Sequence, residues 1–232
     1  MSVLPEKSPE QRRQENITFL KSHGVKTMAA LPVIESAGEV TLRSKEEVVK
    51  RMLGLLLISL YAEGMCAGEK RDDHKAWVDK LIDRYGAADF FTPKEKTFLE
   101  NEEPAPSESV HFSWQYEPLT VLLWALGLLE TEDALGIPAA VCDMPKVMGA
   151  IKIHPTYDAV FETAVLRDKE TVLDQADLIY RYDWACVDER IHSPEGHREE
   201  WGVAMERHKA LNWLINYGFD GPQDWDHVST DT

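Results

Sequence analysis

Apolar positions along this chain recur mainly three and four residues apart, in stretches long enough for several helical turns. Ser8-Pro9-Glu10 reads as a helix start, a cap residue followed by proline in the first turn, and Gly24 supplies a left-handed stop. Between them Ile17, Leu20 and His23 mark one face. Ser44-Lys45-Glu46-Glu47 has the form of a capping box, in which the serine oxygen accepts from the backbone while Glu47 reaches back. The helix that it opens runs to about Tyr61 and is apolar nearly all round over residues 52–60, which places it in the middle of a core. Asp72 or Asp73 opens a third helix through Trp77, Leu81 and Ile82, ended by Gly86. Thr92-Pro93-Lys94-Glu95 is a second capping box. Residues 100–109 are acidic and contain Pro104 and Pro106, so they read as a loop: an exposed connection inside one domain, or a minor domain boundary.

Residues 114–129 are apolar enough for a second central helix, which Pro118 starts or kinks. Asp143-Met144-Pro145 opens a short helix, and Thr156 another. Residues 168–191 carry Leu173, Ala176, Tyr180, Trp184, Val187 and Ile191 at helical spacing. Ser193-Pro194-Glu195 caps a last helix with the stripe Trp201, Ala204, His208, Leu211 and Ile215, stopped at Gly218. Strand signals are confined to residues 25–42, where Leu31-Pro32-Val33-Ile34 reads as extended chain laid over a helical surface. Strand–helix alternation and internal repeats are absent. The fold class expected is all-α, a single compact multi-helix domain over residues 1–232 with two central apolar helices.

Composition agrees with a globular chain: 44% of the 232 residues are hydrophobic and 28% charged. The charge balance changes the picture. Against 25 Lys and Arg stand 41 Asp and Glu, a net charge of −16. A field of that sign repels phosphate backbones and anionic lipid, so no nucleic-acid and no membrane partner is expected, whereas a basic protein partner is attracted. Solubility alone is the plainer reading of such a charge. Cys66, Cys142 and Cys186 are an odd, widely spaced set, neither a disulfide framework nor a zinc site. The opening Met1-Ser2-Val3-Leu4-Pro5-Glu6-Lys7 reaches proline and charge too soon for a signal peptide, and the most apolar stretch is far short of a bilayer span. A cytoplasmic protein is expected.

Named catalytic motifs are missing: no Gly-x-Gly-x-x-Gly, no phosphate loop ending in Gly-Lys-Ser/Thr, no His-Glu-x-x-His and no Gly-x-Ser-x-Gly. Their absence excludes those motifs, not enzymes as such. Glu108/His111 and Glu189/His192 have the Glu-x-x-His spacing of di-iron bundles, but chance accounts for such pairs and Glu108 falls in or beside the proline-rich loop. Asp224-Trp225-Asp226-His227 with Asp231 gathers carboxylates and an imidazole in a short tail; a cation site is conceivable, and the simpler reading is that Trp225 anchors the tail. His208 on an apolar stripe reads as a hydrogen-bonded core histidine. No metal and no cofactor are expected. The most suggestive set lies on the last two long helices: Asp177 and Arg181 four apart, then Asp188, Arg190, Glu206, Arg207 and Asn212. Charges beside a buried seam must be paired, so an interhelical salt-bridge network is one reading. A polar pocket with arginines poised for an anionic ligand is the other.

At these residues the chain resembles the family of domain of unknown function 4272. The matching pieces are Leu31-Pro32-Val33-Ile34-Glu35, Leu42-Arg43-Ser44 with Glu46-Glu47 and Arg51, Trp114-Gln115-Tyr116-Glu117, and Leu122-Leu123-Trp124-Ala125-Leu126-Gly127. They continue with Asp177-Leu178-Ile179-Tyr180-Arg181 and Trp184-Ala185, then residues 206–214, Trp225-Asp226 and residues 228–232. Two positions depart from the family's pattern: His227 stands where an acidic residue is usual, and Pro118 interrupts the central helix. The first weakens a metal reading of the tail. The resemblance implies an architecture and one domain running to the final residue, and it implies no activity. The expected function is a non-enzymatic binding or regulatory protein acting through its acidic surface, the alternative an enzyme or small-molecule sensor built on the Arg/Asp/Glu set.

Overall fold

A computed structural model describes residues 6–130, 135, 137, 141–193, 201–217 and 224–232. In chain order its helices are α1 Pro9–Ser22, α2 Lys45–Cys66, α3 Arg71–Tyr85, α4 Pro93–Glu100, α5 Pro106–Ser113, α6 Tyr116–Ala125, α7 Met144–Lys152, α8 Tyr157–Thr163, α9 Lys169–His192 and α10 Trp201–Leu214, followed by a 3-10 turn, Trp225–His227. Among the described residues there is no strand, so the protein is all-α. The chain gathers into two compact units, one of residues 1–43, 131–141 and 167–232, the other of residues 44–130 and 142–166.

The second unit is built around α2. Its capping box is formed: Ser44 accepts from the Glu47 amide, and Glu47 accepts from the Ser44 amide. Val48, Val49, Met52, Leu53 and residues 55–58 are buried on every side of the rod, because α3, α5 and α6 all pack against it. The helix continues past Tyr61 to Cys66. Two glycines let neighbours come close. A methyl group on Gly54 would stand 2.9 Å from the Phe90 carbonyl oxygen and from an Arg51 guanidinium nitrogen. One on Gly64 would overlap the His74 ring, whose Nε2 lies 3.0 Å from the Leu60 carbonyl oxygen.

α3 starts at Arg71 without a side-chain cap, not at Asp72 or Asp73, and ends where expected at Gly86, in the left-handed region with φ 60°. It turns Val78 and Tyr85 inward and leaves Trp77 exposed. The loop expected over residues 100–109 is shorter, because Pro106 occupies the first position of α5, where its missing N–H costs nothing. The apolar stretch 114–129 is not one helix. α5 ends at Ser113, and α6 runs from Tyr116 to Ala125, with Gly127 at φ 65° beyond it. Pro118 sits in the first turn of α6, so it neither starts nor kinks the helix. Residues 116–125 are all buried, making α6 the second apolar rod. Asp143 caps α7 and Thr156 caps α8, each accepting from a first-turn amide.

In the other unit α9 packs against both α1 and α10. Ser8 caps α1 as expected, and Asp168, at the start of the expected stretch, caps α9. His23 is exposed and forms the C-cap of α1, so the buried face there is Ile17 and Leu20. The Leu31–Ile34 stretch is non-helical and buries both of those residues. At the far end of α9 Ile191 is exposed, outside the buried stripe. The expected cap at Pro194 and Glu195 and the stop at Gly218 lie outside the described residues.

Candidate functional site

α9 carries two polar faces. The first looks toward α1. Glu170, Asp174, Asp177 and Arg181 lie three and four residues apart, hence on one side of the helix. Arg181 grips Asp177 with two bonds, Nε–Oδ2 2.9 Å and Nη2–Oδ1 2.7 Å, and its Nη2 also donates to the Pro32 carbonyl at 3.1 Å. Asn16 of α1 donates to Asp177 at 2.9 Å. Arg12, almost fully buried on α1, reaches Glu170 at 2.7 Å and Asp174 at 3.2 Å. Lys7 adds a bond to Asp174 at 2.7 Å, and that bond raises the lysine's pKa above its ordinary value. These groups form an interhelical ion-pair ladder between α1 and α9.

The second face meets α10. Asp183 lies six residues beyond Asp177, more than half a turn round the helix, and is buried. Its Oδ2 lies 2.8 Å from Nδ1 of His208. Nε2 of His208 is 3.0 Å from the Asn212 side-chain nitrogen, which also donates to the Ser229 carbonyl at 2.9 Å. Tyr180 lays its ring against His208, 5.7 Å between centroids. Burial pushes the Tyr180 phenol above its ordinary pKa. The chain Asp183–His208–Asn212–Ser229 therefore runs from α9 through α10 to the carboxyl-terminal tail. Sequence reading took Asn212 as a candidate and His208 as a core histidine, but missed Asp183 as the partner. The four-residue spacing of His208 and Asn212 on one helix was the available signal.

Asp188 and Arg190 have other partners. Asp188 bonds Lys26 at 2.6 Å. The Arg190 guanidinium stacks 4.0 Å from the Trp201 ring centroid, a cation–π contact. Glu206 and Arg207 are buried on α10. In the tail Trp225 is buried and meets Trp213 edge-on at 5.5 Å, with the Lys209 ammonium 5.1 Å from its ring centroid, so the tryptophan is the anchor. Asp224 accepts from the Asp226 amide and bonds His227, both side chains exposed. Among the described residues no group of three or more His, Cys, Asp and Glu is placed to hold a metal ion.

The other unit holds buried polar groups that sequence reading did not single out. Arg51 offers one nitrogen to both Glu95 oxygens, at 2.7 and 2.8 Å, with both side chains buried. Tyr116 donates to Glu63 at 2.8 Å; burial first, and that carboxylate second, push its phenol far above the ordinary value. Glu108 and His111 do lie on a helix, α5, but Glu108 accepts from the Ala105 amide and so serves as a cap. Open clefts lie in this unit. One, of about 740 Å³, is lined by Lys70, Arg71, Asp72, Asp73, Glu102 and Glu103. Another, of about 350 Å³, is lined by Lys94, Thr97, Ser107, Glu108, His111 and Phe112.

No helix among the described residues is long and apolar enough to cross a membrane. Neither the curated proteins nor the solved structures yield a match to this chain. A family profile described as Domain of unknown function (DUF4272) matches residues 12–228, nearly the whole length and including both faces of α9. The chain belongs to the DUF4272 family.

Proposed function

We propose that this protein is a non-enzymatic binding or regulatory protein of the cytoplasm that engages a basic protein partner through its acidic surface. The observation that carries the reading is where the charge goes. Arg12, Arg51 and Arg181 are buried against Glu170 and Asp174, Glu95, and Asp177 respectively. Among the described residues of this chain of net charge −16, the carboxylates are exposed or half-buried apart from Glu95, Glu117, Asp177, Asp183 and Glu206. Part of it gathers at the start of α3 and in the α4–α5 loop, where Asp72, Asp73, Glu102 and Glu103 are exposed around one cleft and the Asp72 side chain is 94% exposed. Exposed carboxylates of this kind steer association with basic surfaces, and that attraction weakens with salt.

Affinity capture from lysate at low and high salt tests the proposal, using the native protein beside a variant with Asp72→Asn, Asp73→Asn, Glu102→Gln and Glu103→Gln. A basic partner is expected to be retained at low salt, lost at high salt and weakened roughly tenfold by the variant. Capture indifferent to salt and to the substitutions would refute it. A second reading, a small-molecule sensor on α9, is favoured by one feature: Nη1 of Arg181 is buried with no hydrogen-bond partner. Thermal-shift screening with anionic metabolites checks it, since a ligand selective for the folded state raises Tm in the native protein and not in Arg181→Met.

A further inference from the structure

The chain from Asp183 to the tail fixes the protonation state of His208. Asn212 has one side-chain nitrogen, with two hydrogens, and one oxygen. Its nitrogen lies 2.9 Å from the Ser229 carbonyl and 3.0 Å from Nε2 of His208. Turning the amide over would set two acceptors, Oδ1 and the Ser229 carbonyl, against each other, so the carbonyl determines which way the amide points. With the amide nitrogen facing it, Nε2 of His208 must be an acceptor. Nδ1 then carries the hydrogen and donates to Asp183 Oδ2 at 2.8 Å. The imidazole is neutral in this arrangement, and Asp183 is left as a buried carboxylate with its Oδ1 unpartnered.

We propose that this chain is a proton-operated latch: neutral His208 holds the carboxyl-terminal tail, and protonated His208 releases it. A proton arriving at Nε2 turns that atom from acceptor to donor. It then faces the Asn212 N–H groups, donor against donor, until the amide rotates and offers Oδ1. Rotation points Oδ1 toward Ser229 and removes the carbonyl's hydrogen bond, so residues 228–232 lose that tie to α10. The opposite end of the ring gains. Nδ1–H still donates to Asp183, now as an ion pair that compensates a buried charge, so the α9–α10 seam tightens as the tail loosens.

The groups facing the ring are Asp183 and Tyr180 from α9, Asn212 from α10 and the Ser229 carbonyl from the tail. Tyr180, its phenol pushed above its ordinary value by burial, stays neutral in the range where imidazoles titrate. His227, exposed in the same tail and bonded to Asp224 at 2.8 Å, is separated out by the choice of variant.

Hydrogen exchange of the tail amides, corrected for intrinsic chemical rates, is compared at about pH 7.5 and about pH 5.0 in the native protein and in His208→Gln. Protection of residues 228–232 is expected to fall roughly two- to tenfold on acidification in the native protein, the worth of one hydrogen bond. In His208→Gln, which keeps His227, that fall is expected to vanish. A fall of equal size in both proteins overturns the proposal. Nitrogen-15 NMR of the native protein gives a reading independent of the variant's folding. Nδ1–H with bare Nε2 at neutral pH, becoming doubly protonated on acidification, supports the latch. An Nε2–H tautomer at neutral pH, or a proton taken up by Asp183 while His208 stays neutral, overturns it.

Discussion

At Gly54 and Gly64 a single methyl group meets atoms already in place. Alanine is the better helix former by roughly 0.8–1 kcal/mol, so on propensity alone either replacement in α2 stabilises. Space opposes it. At Gly54 the methyl meets the Phe90 carbonyl at 2.9 Å, and backbone yields less than a side chain does. At Gly64 it displaces the His74 ring, which would give up its Leu60 hydrogen bond and its stacking against Tyr61. Gly54→Ala and Gly64→Ala are each expected to lose a net ~1–3 kcal/mol in denaturant unfolding, the cost of overpacking. A gain at either position would show that its neighbour moves aside freely. Glu95 is constrained by chemistry rather than volume. Its Oε2 accepts from the Thr92 amide at 2.9 Å to complete the α4 capping box, while both oxygens hold Arg51. Glu95→Ala strands a buried guanidinium and is expected to cost about 3–5 kcal/mol. Arg51→Met with Glu95→Leu removes both charges and is expected to cost less than Glu95→Ala alone; unfolding of the two variants side by side decides it, and a double variant weaker than the single one refutes the pairing.

Helices are where the sequence was most readable, and the reason is locality. The caps at Ser8, Ser44, Thr92, Asp143, Thr156 and Asp168 each bond an amide three residues on, so the whole signal lies within four letters of sequence. What failed to show was set by distant chain. Trp77 and Val78 are adjacent on α3, and which of them turns inward depends on where α2 lies, so the sequence names Trp77 along the helix and passes over the buried Val78. The α5–α6 break falls within an apolar run, where hydrophobicity carries no phase. The ion-pair ladder joins α1 to residues more than a hundred and fifty positions away, and four-residue spacing on α9 marked Asp177 and Arg181 but neither Glu170 and Asp174 nor their partner Arg12. That ladder makes a prediction at its own scale. The Arg12 side chain is only 1% exposed, whereas Glu170 and Asp174 keep 29% and 28% and can return to water. Arg12→Ala is therefore expected to loosen α1 selectively, lowering hydrogen-exchange protection of Pro9–Ser22 by about tenfold and leaving α2 unchanged. Equal loss in both helices would mean that the ladder supports global stability rather than the docking of α1.

For the molecule as a whole, a net charge of −16 is a repulsive field that folding concentrates. The attractive pairs and the repulsion differ in how they respond to salt. Arg51 with Glu95 and Arg181 with Asp177 are buried and short, 2.7 Å at their closest, so mobile ions hardly reach them. Exposed carboxylates such as Asp72, Asp73, Glu102 and Glu103 repel through solvent, where the screening length contracts from about 30 Å at 0.01 M ionic strength to about 8 Å at 0.15 M. Added salt thus relieves the repulsion while leaving the strongest attractions in place. Tm is expected to rise by roughly 2–4 °C between those two ionic strengths, the shift that ~1 kcal/mol produces in a chain of this size. Scanning calorimetry across a sodium chloride series measures it. Neutralising Asp72, Asp73, Glu102 and Glu103 together should flatten the slope, because those exposed charges contribute to the field while belonging to no buried pair. A Tm that falls with salt would mean that exposed ion pairs such as Lys50–Glu46 and Lys26–Asp188 outweigh the net repulsion, and the surface charge would then be a source of stability rather than a load carried for recognition.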